Sequence, residues 1–532
     1  MSLRVNNISL SLDEDRNLLN KKVAKKLGIK ENDIKNINII KESLDARKKN
    51  QIKFTYALDV EVQDEPKVIK RIKDNDIKVN KIEEALEFIY GEKALNTRPI
   101  VVGLGPAGLF AALTLAEHGY NPIVIERGED VDSRSKTVDE FWKSGVLNEN
   151  SNVQFGEGGA GAFSDGKLTT RIKDKRCDYV LRELVEGGAP EEIKYIAKPH
   201  IGTDLLKDVV KNIREKIKSL GGEVRFNSKL EHINISENKV KSIVVNGEEI
   251  PCEVLILALG HSARDTYEML HEIGLNMEPK AFAIGVRIEH PQEIINTSQY
   301  GESAGHPKLK AAEYRLAHTD KNTGRSIYSF CMCPGGVVVA ASSEKNRLVS
   351  NGMSYHARDK ENANSAVVVT VGPEDFEGDS PLRGMEFQRH YEELAFNLGG
   401  GDYKAPIQLL GDFMNDRVST EFKTVTPSFT RGHNFKDLRE CLPSYVVDAL
   451  KEGITAFDKK IKGYGHPDTI LTGIETRTSA PVRLNRNESL ESVNLSGLFP
   501  AGEGAGFAGG IVSAAVDGIK VAESLMNNYA KK

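Results

Sequence analysis

The sequence is poor in several things that would each have indicated a function. It has one tryptophan and only five cysteines among 532 residues, and the cysteines are odd in number and scattered. Such a set is no disulfide framework and points to a reducing compartment. No apolar run is long enough to cross a bilayer, and MSLRVNNISLSLDED has no basic segment followed by an apolar signal core. A cytoplasmic location without membrane contact is therefore expected. Basic and acidic side chains nearly balance, 72 against 77, with no charged tail, so nucleic acid is not an expected partner. No paired Cys/His ligands stand at metal spacing, no Ser-His-Asp or paired-carboxylate constellation is defensible from spacing, and no internal repeat or low-complexity tract is found. What remains is an enzyme acting on a small-molecule substrate, of about three or four domains. Its oligomeric state is not legible.

The strongest positive signal is Arg98 to Glu126, RPIVVGLGPAGLFAALTLAEHGYNPIVIE. Ile100 to Val102 form an apolar run suited to a strand buried on both faces. Gly103, Gly105 and Gly108 follow with the G-x-G-x-x-G spacing: a tight turn, an approach for a pyrophosphate, and close helix-strand packing. Pro106 and Ala107 open the helix, where a missing N–H costs nothing, and the helix N-terminus suits phosphate. A second strand, Ile123 to Ile125, ends at Glu126, placed to accept ribose hydroxyls, and at Arg127. This spacing does not separate FAD from NAD(P).

Residues 1–95 carry their own pattern: strands at Leu3 to Leu12, Ile34 to Ile40, Gln51 to Val62 and Ile77 to Ile82, with helices at Leu18 to Leu27 and Pro66 to Lys73. The β-α-β-β-α-β order suggests a ferredoxin-like α+β domain. Arg47, Lys48 and Lys49 form a basic corner there, either an RNA or partner contact or a solvated hairpin tip. After the cradle, Gly156 to Gly166 contains five glycines. Its Gly158, Gly159, Ala160 and Gly161 can bring backbone N–H groups to a phosphate or a flavin ring. A helix from His200 to Leu220 with Thr203 as cap, several strands, and Val254 to Gly260 returning to the centre of the sheet complete residues 96–275. Residues 276–465 are β-rich, with helices at Pro381 to Leu398 and Ser444 to Lys462, and read as an inserted substrate lobe. Residues 466–532 close with a glycine cluster and a helix from Gly510 to Asn527, a second helix start suited to an anion.

The cradle, NVQFGEGGAGAFSDGKL, LILALGHSARDT, FCMCPGG and GLFPAGEGAGFAGGIVSAAVDG together resemble the uncharacterised FAD-dependent dehydrogenases labelled NAD(FAD)-utilising. More broadly they are similar to two-lobed flavoproteins such as the fumarate reductase and p-hydroxybenzoate hydroxylase groups. The resemblance covers nearly the whole chain. It implies an α/β fold with a split Rossmann-like FAD-binding domain, and FAD as cofactor, its pyrophosphate on Gly103, Gly105 and Gly108. Ala258 and Gly260 match a strand end close to the cofactor, Gly502 and Glu503 a motif at the ribityl chain, and Gly509, Gly510 and Ile511 the helix start at the flavin pyrimidine edge. NAD(P)H can serve as donor, but no second strand-linked G-x-G-x-x-G marks a nicotinamide domain.

For the chemistry itself, Cys331 and Cys333 can present a thiol to the flavin, form a redox disulfide, supply half a metal site, or simply pack a strand end. Arg477 can clamp a carboxylate or an anionic flavin, or form an ordinary salt bridge. His261 can be a proton donor, a cofactor contact or a local hydrogen-bonding residue. The leading expectation is an FAD-dependent oxidoreductase moving a hydride or electron pair through flavin N5. The alternatives are a flavin monooxygenase or ene-reductase of the same fold, or a flavoprotein that modifies RNA or acts as a redox-responsive adaptor through its N-terminal domain.

Overall fold

The computed structural model describes residues 2–71, 74–80, 86–321 and 323–531. The alternating apolar residues of the N-terminal stretch bury one face of a four-stranded sheet. In it, β1 (Leu3–Ser11) is followed by α1 (Leu18–Leu27), β2 (Ile34–Asp45), β3 (Lys53–Val62), α2 (Glu65–Arg71) and β4 (Ile77–Val79). The strands run β2-β3-β1-β4, all antiparallel. β2 continues to Asp45 instead of stopping at Ile40. The expected ends at Lys73 and Ile82 lie outside the described residues. β2 is an edge strand, and residues 195–197 cover it: Glu42 N–H donates to the Tyr195 carbonyl and Ala197 N–H to the Glu42 carbonyl, both at 2.8 Å. Leu12 and Ile52 reach into the core of the β-rich lobe, so this module is packed down onto the rest.

The second unit is a five-stranded parallel sheet. β5 (Ile100–Val102), α3 (Pro106–Glu117) and β6 (Ile123–Ile125) make the cradle, and the order is Leu498–Pro500, Leu255–Leu257, β5, β6, Glu223–Arg225. Every neighbouring pair is parallel. α3 and the last helix, Ile511–Asn528, bury one face of this sheet, and the helix Arg264–Glu272 lies on the other. Two covered faces are why its strands read as unbroken apolar runs. Leu255–Leu257 is not central as expected, because Leu498–Pro500 pairs outside it and β5 takes the centre.

The lobe is built on a seven-stranded sheet in which Phe282–Pro291 pairs antiparallel with Asn362–Val371 on one side and Ile470–Glu475 on the other. Ile470–Glu475 lies beyond the expected lobe boundary at residue 465. It is buried at every position, and only its pairing across the chain assigns it to the lobe. The helices Arg383–Gly399 and Ser444–Asp458 accompany this sheet. Thr203 is a further correction. Gly202 takes the cap position, and the Thr203 hydroxyl donates instead to the Ala162 carbonyl at 2.6 Å, tying that helix to the glycine loop.

Candidate functional site

Between the carboxyl ends of the parallel strands and the lobe sheet runs a cleft of about 1560 Å³, its open mouth included. At one end is the cradle. Gly103 has φ +98°, and a Cβ on it would stand 2.4 Å from the Ala258 carbonyl oxygen. A Cβ on Gly108 would stand 1.9 Å from the Gly103 carbonyl oxygen, so this glycine sets the contact between α3 and the turn and does not line the cleft. Gly105 differs. A Cβ there would meet nothing closer than Gly159 Cα at 3.8 Å, and its open side faces the cleft. Pro106 and Ala107 line the cleft beside it, and the first-turn N–H groups of α3 have no intrahelical acceptor. A glycine that no protein atom requires, beside free helix N–H groups, fits an approaching pyrophosphate.

Glu126 is 4 % exposed and holds the cradle together. Its Oε2 accepts from Leu104 N–H at 2.8 Å, and its Oε1 from Gly128 and Gly156 N–H at 2.9 and 3.0 Å. The carboxylate therefore joins turn and glycine loop while still facing the cleft, with lone pairs left for hydroxyl donors. Arg127 also faces the cleft, its guanidinium on Asp265 at 2.6 Å and 4.4 Å from the centre of the Phe155 ring.

The glycine loop is shaped by a residue that the sequence reading missed. Arg134, fully buried, donates to the carbonyls of Asn152, Val153, Glu157 and Gly159 at 2.7–2.9 Å. Its signal was present: Arg134 falls on the buried stripe of its helix with Val131, Val138 and Phe141. Gly159, Ala160 and Gly161 line the cleft, whereas Gly158 packs against Ala162 and Val210. A Cβ on Gly161 would stand 3.5 Å from Ile511, so the loop meets the start of the last helix. Gly510 and Ile511 line the cleft there, as do Ala258, Gly260 and Glu503. Gly502 and Gly509 do not. Gly502 shapes the cleft from behind, against Ala107, with its N–H on Asp517 at 2.7 Å. Burial, against the pull of Lys280, raises the Glu503 carboxyl to about 7.

The lobe supplies the opposite wall. The strand Ser326–Cys333 bulges where Phe330 faces Ala366 and Cys333 faces Asn364, and Cys331 there takes φ +44°. Cys331 lines the cleft; Cys333 lies behind it, fully buried, with its Sγ 3.7 Å from Arg287 Nη2. Both thiols are free, and among the described residues no third metal ligand joins them. Their mutual hydrogen bond and burial push the Cys331 thiol up; the same bond, against burial and with help from Arg287, pulls the Cys333 thiol down. Arg287 also donates to Glu475 Oε1 at 3.2 Å and to the Cys331 carbonyl at 2.5 Å. Glu475, another residue not foreseen, lines the cleft, and its buried Oε2 has no partner among the described residues. Burial raises its carboxyl in spite of Arg287.

Arg477 lines the cleft but is not a free clamp. Nε and Nη2 hold Glu392 at 3.1 and 3.0 Å, and Nη1 donates to Ser262 and Ser343 at 3.1 and 2.5 Å. Arg264 grips the same buried carboxylate from the other side at 2.8 and 2.6 Å. Burial would raise the Glu392 carboxyl, but the two guanidiniums hold it well below the usual carboxylate range. His261 lines the cleft as a neutral imidazole, lowered to about 3 by burial and by Arg477 and Arg264, with Nδ1 2.8 Å from Ser262 Oγ. It is no imidazolium donor at neutral pH. Arg47 at the N-terminal basic corner pairs with Asp45 at 2.7 Å.

Residues 281–478 match the family model described as FAD-dependent protein, C-terminal domain-like, and residues 97–269 that described as pyridine nucleotide-disulphide oxidoreductase. Residues 2–61 match a domain of unknown function. The chain is 66 % identical over 529 residues to an uncharacterized protein of Clostridium beijerinckii, covering 99 % of both. It is 24 % identical over 170 residues to an FAD-dependent monooxygenase of Hypoxylon pulicicidum, covering 31 % of this chain and 37 % of that one. Among solved structures it is similar to L-proline dehydrogenase from P. horikoshii, at 14 % identity, 82 % and 94 % coverage and a TM-score of 0.34.

Proposed function

Because the chain belongs to the FAD-dependent oxidoreductase families and FAD is its cofactor, we propose that it moves a hydride or electron pair between flavin N5 and a small molecule held against the lobe wall. The observation that carries this reading is the continuity of one cleft from Gly105 and Glu126 to Cys331 and Glu475. When bound, FAD supplies two-electron chemistry that side chains lack. The protein binds, orients and manages protons.

In this reading the N–H groups at Gly105 and Ala107 would hold the pyrophosphate and Glu126 the adenosine ribose. The start of the helix Ile511–Asn528, capped by Gly510, offers its positive end to the flavin edge that gains charge on reduction. Glu503 lies on the way to that edge. Glu475, with a raised carboxyl and an uncommitted Oε2, is the proton-holding group facing the substrate. Cys331 presents its thiol to the cleft, and Arg287 favours a thiolate on Cys333 behind it, which suits a pair that exchanges protons or electrons with whatever lies between lobe and cofactor. Arg477 acts as a positioning residue that holds His261 and Ser262 in place through the Glu392 network.

The test is direct. The purified protein should be yellow, and NAD(P)H or dithionite should bleach its flavin band. Oxygen uptake with candidate substrates distinguishes a monooxygenase from a dehydrogenase. Glu475→Gln and Cys331→Ser should keep FAD and lose turnover. A colourless protein that FAD cannot reconstitute would sink the reading.

A further inference from the structure

Behind the cofactor cleft is a second chamber of about 2030 Å³, its open mouth included. It forms where three parts of the chain meet: Phe54 and Tyr56 come from the N-terminal sheet, Ile193 and Ile196 from the segment that covers β2, and Tyr300 and Ala311 from the lobe. The N-terminal module is thus its roof.

One ion pair joins the walls of the two spaces. Arg358 belongs to the wall of the chamber, and its partner Asp165 to the wall of the cofactor cleft. Nε meets Oδ1 at 2.9 Å and Nη2 meets Oδ2 at 2.5 Å. These two bonds use Nε and Nη2 and leave Nη1 outside the pairing with Asp165. Arg358 is held there at φ +52°, a conformation that residues other than glycine rarely adopt. Its carbonyl lies so close to Gly335 that a Cβ on that glycine would stand 1.9 Å away.

The charges around the chamber are not evenly committed. Its carboxylates Glu42, Glu192 and Glu313 are held by Arg16, Lys310 and Lys198 at 2.5, 2.6 and 2.6 Å, and Glu14 by Lys22 at 2.6 Å. Asp15 stands on the exposed loop before α1. Lys308, by contrast, bonds the Glu14 carbonyl at 2.7 Å and no carboxylate among the described residues, and Arg358 spends Nε and Nη2, but not Nη1, on Asp165. Apolar and aromatic side walls with spare cationic donors suit an amphipathic anion.

We propose that this chamber binds an organic carboxylate with an apolar or aromatic body. The carboxylate lies on Arg358 Nη1, and the body lies among Phe54, Tyr56 and Tyr300. By drawing Arg358 from Asp165, the ligand is felt in the cofactor cleft, where Asp165 stands 3.8 Å from Lys167. This site goes beyond the oxidoreductase reading and does not depend on turnover.

Calorimetric titration of the FAD-loaded full chain with phenylacetate and octanoate, and with their amides as neutral counterparts, tests it. At least one carboxylate binds, its amide binds at least about tenfold more weakly, and Arg358→Gln weakens the carboxylate by a similar factor, as loss of a charge-assisted hydrogen bond implies. Ala311→Trp, which fills the chamber without touching a charge, removes binding while flavin content stays as in the parent. In the parent, but not in either variant, the probe shifts the flavin absorption spectrum. The proposal fails if neither carboxylate binds, if amide and acid bind alike, if either variant binds like the parent, or if the probe displaces FAD.

Discussion

Gly105 and Gly108 sit three residues apart in the same turn, yet substitution by alanine should break different things. At Gly105 the backbone has φ −76°, open to any residue, and the added methyl meets nothing within 3.8 Å. The apoprotein of Gly105→Ala should melt with the parent. The methyl instead occupies space facing the cleft, where a pyrophosphate must come within hydrogen-bonding distance of the backbone. Displacing even one charge-assisted bond costs about 1.5–3 kcal/mol, roughly a 10- to 100-fold loss of FAD affinity. At an FAD concentration 100 times the parent's Kd, ligand stabilisation is about 2.7 kcal/mol for the parent; for a variant weakened 100-fold it falls to about 0.4 kcal/mol. Gly108→Ala should do the reverse of leaving the fold intact. Its methyl would overlap the Gly103 carbonyl oxygen at 1.9 Å and crowd Ala258 Cβ at 3.3 Å, so α3 must shift, at a cost of about 1–3 kcal/mol or more before any ligand is added. Melting curves of both apoproteins, followed by FAD titration monitored by flavin fluorescence, separate the two effects. Parent-like FAD affinity in Gly105→Ala would refute the assignment of that face to the pyrophosphate.

Three more outcomes follow from the same geometry. Glu392→Gln removes the carboxylate between Arg264 and Arg477 and leaves two buried guanidiniums facing each other; denaturant unfolding should show about 3–5 kcal/mol lost at neutral pH, and an unchanged midpoint would contradict the network. The depressed Glu392 carboxyl stabilises the fold above its ordinary value of 4.5, and this contribution disappears as pH falls through its lower folded-state value. Glu503 has the opposite sign: its carboxyl is raised from 4.5 to about 7, so the folded chain holds a proton that the unfolded chain has released, and stability drains away as pH climbs across that window. Glu503→Gln should flatten this slope in apoprotein melts, and an identical slope would count against a buried, raised Glu503. Arg134→Leu should leave helix content intact but free the carbonyls of the glycine loop, speeding proteolysis between residues 150 and 166 and FAD release; a loop as resistant as the parent's would show that other contacts hold it.

The cradle is legible because its information is local: strand, glycines, helix and acid lie within thirty residues, and the tight contacts of Gly103 and Gly108 are to the adjacent strand end and to the turn itself. The lobe wall is not. Arg287 and Glu475 are 188 positions apart, and Arg358 and Asp165 193, so no spacing announces either pair. Arg477 illustrates the limit from the other side. Its residue type suggests a clamp, but whether its donors are free depends on Glu392, 85 positions earlier on a helix whose inward face is not distinctive. Glu126 shows a milder version: its place in the motif is clear, but the N–H groups of Leu104, Gly128 and Gly156 that orient it come from three separate turns. The lobe boundary fails for the same reason, since Ile470–Glu475 is assigned by the strands it pairs with and not by its own composition.

The packing of the last helix on α3 also sets a schedule. A Cβ on Gly518 would stand 2.0 Å from the Ala107 carbonyl, so the two helices touch backbone to backbone, about four hundred residues apart in the chain. During synthesis the cradle emerges early and then waits: at about 5–20 residues per second, some 20–80 s pass before Ile511–Asn528 leaves the ribosome and covers it. Throughout that interval α3, apolar on nearly all its faces, has its strands and the helix Thr203–Ser219 beside it but lacks the last helix, while the lobe between the two halves can already collapse on its own sheet. The cleft wall made by Gly510, Ile511 and Ala514 is therefore the last part of the site to be synthesised, and a chain stopped within the lobe leaves the apolar side of α3 that the last helix covers exposed.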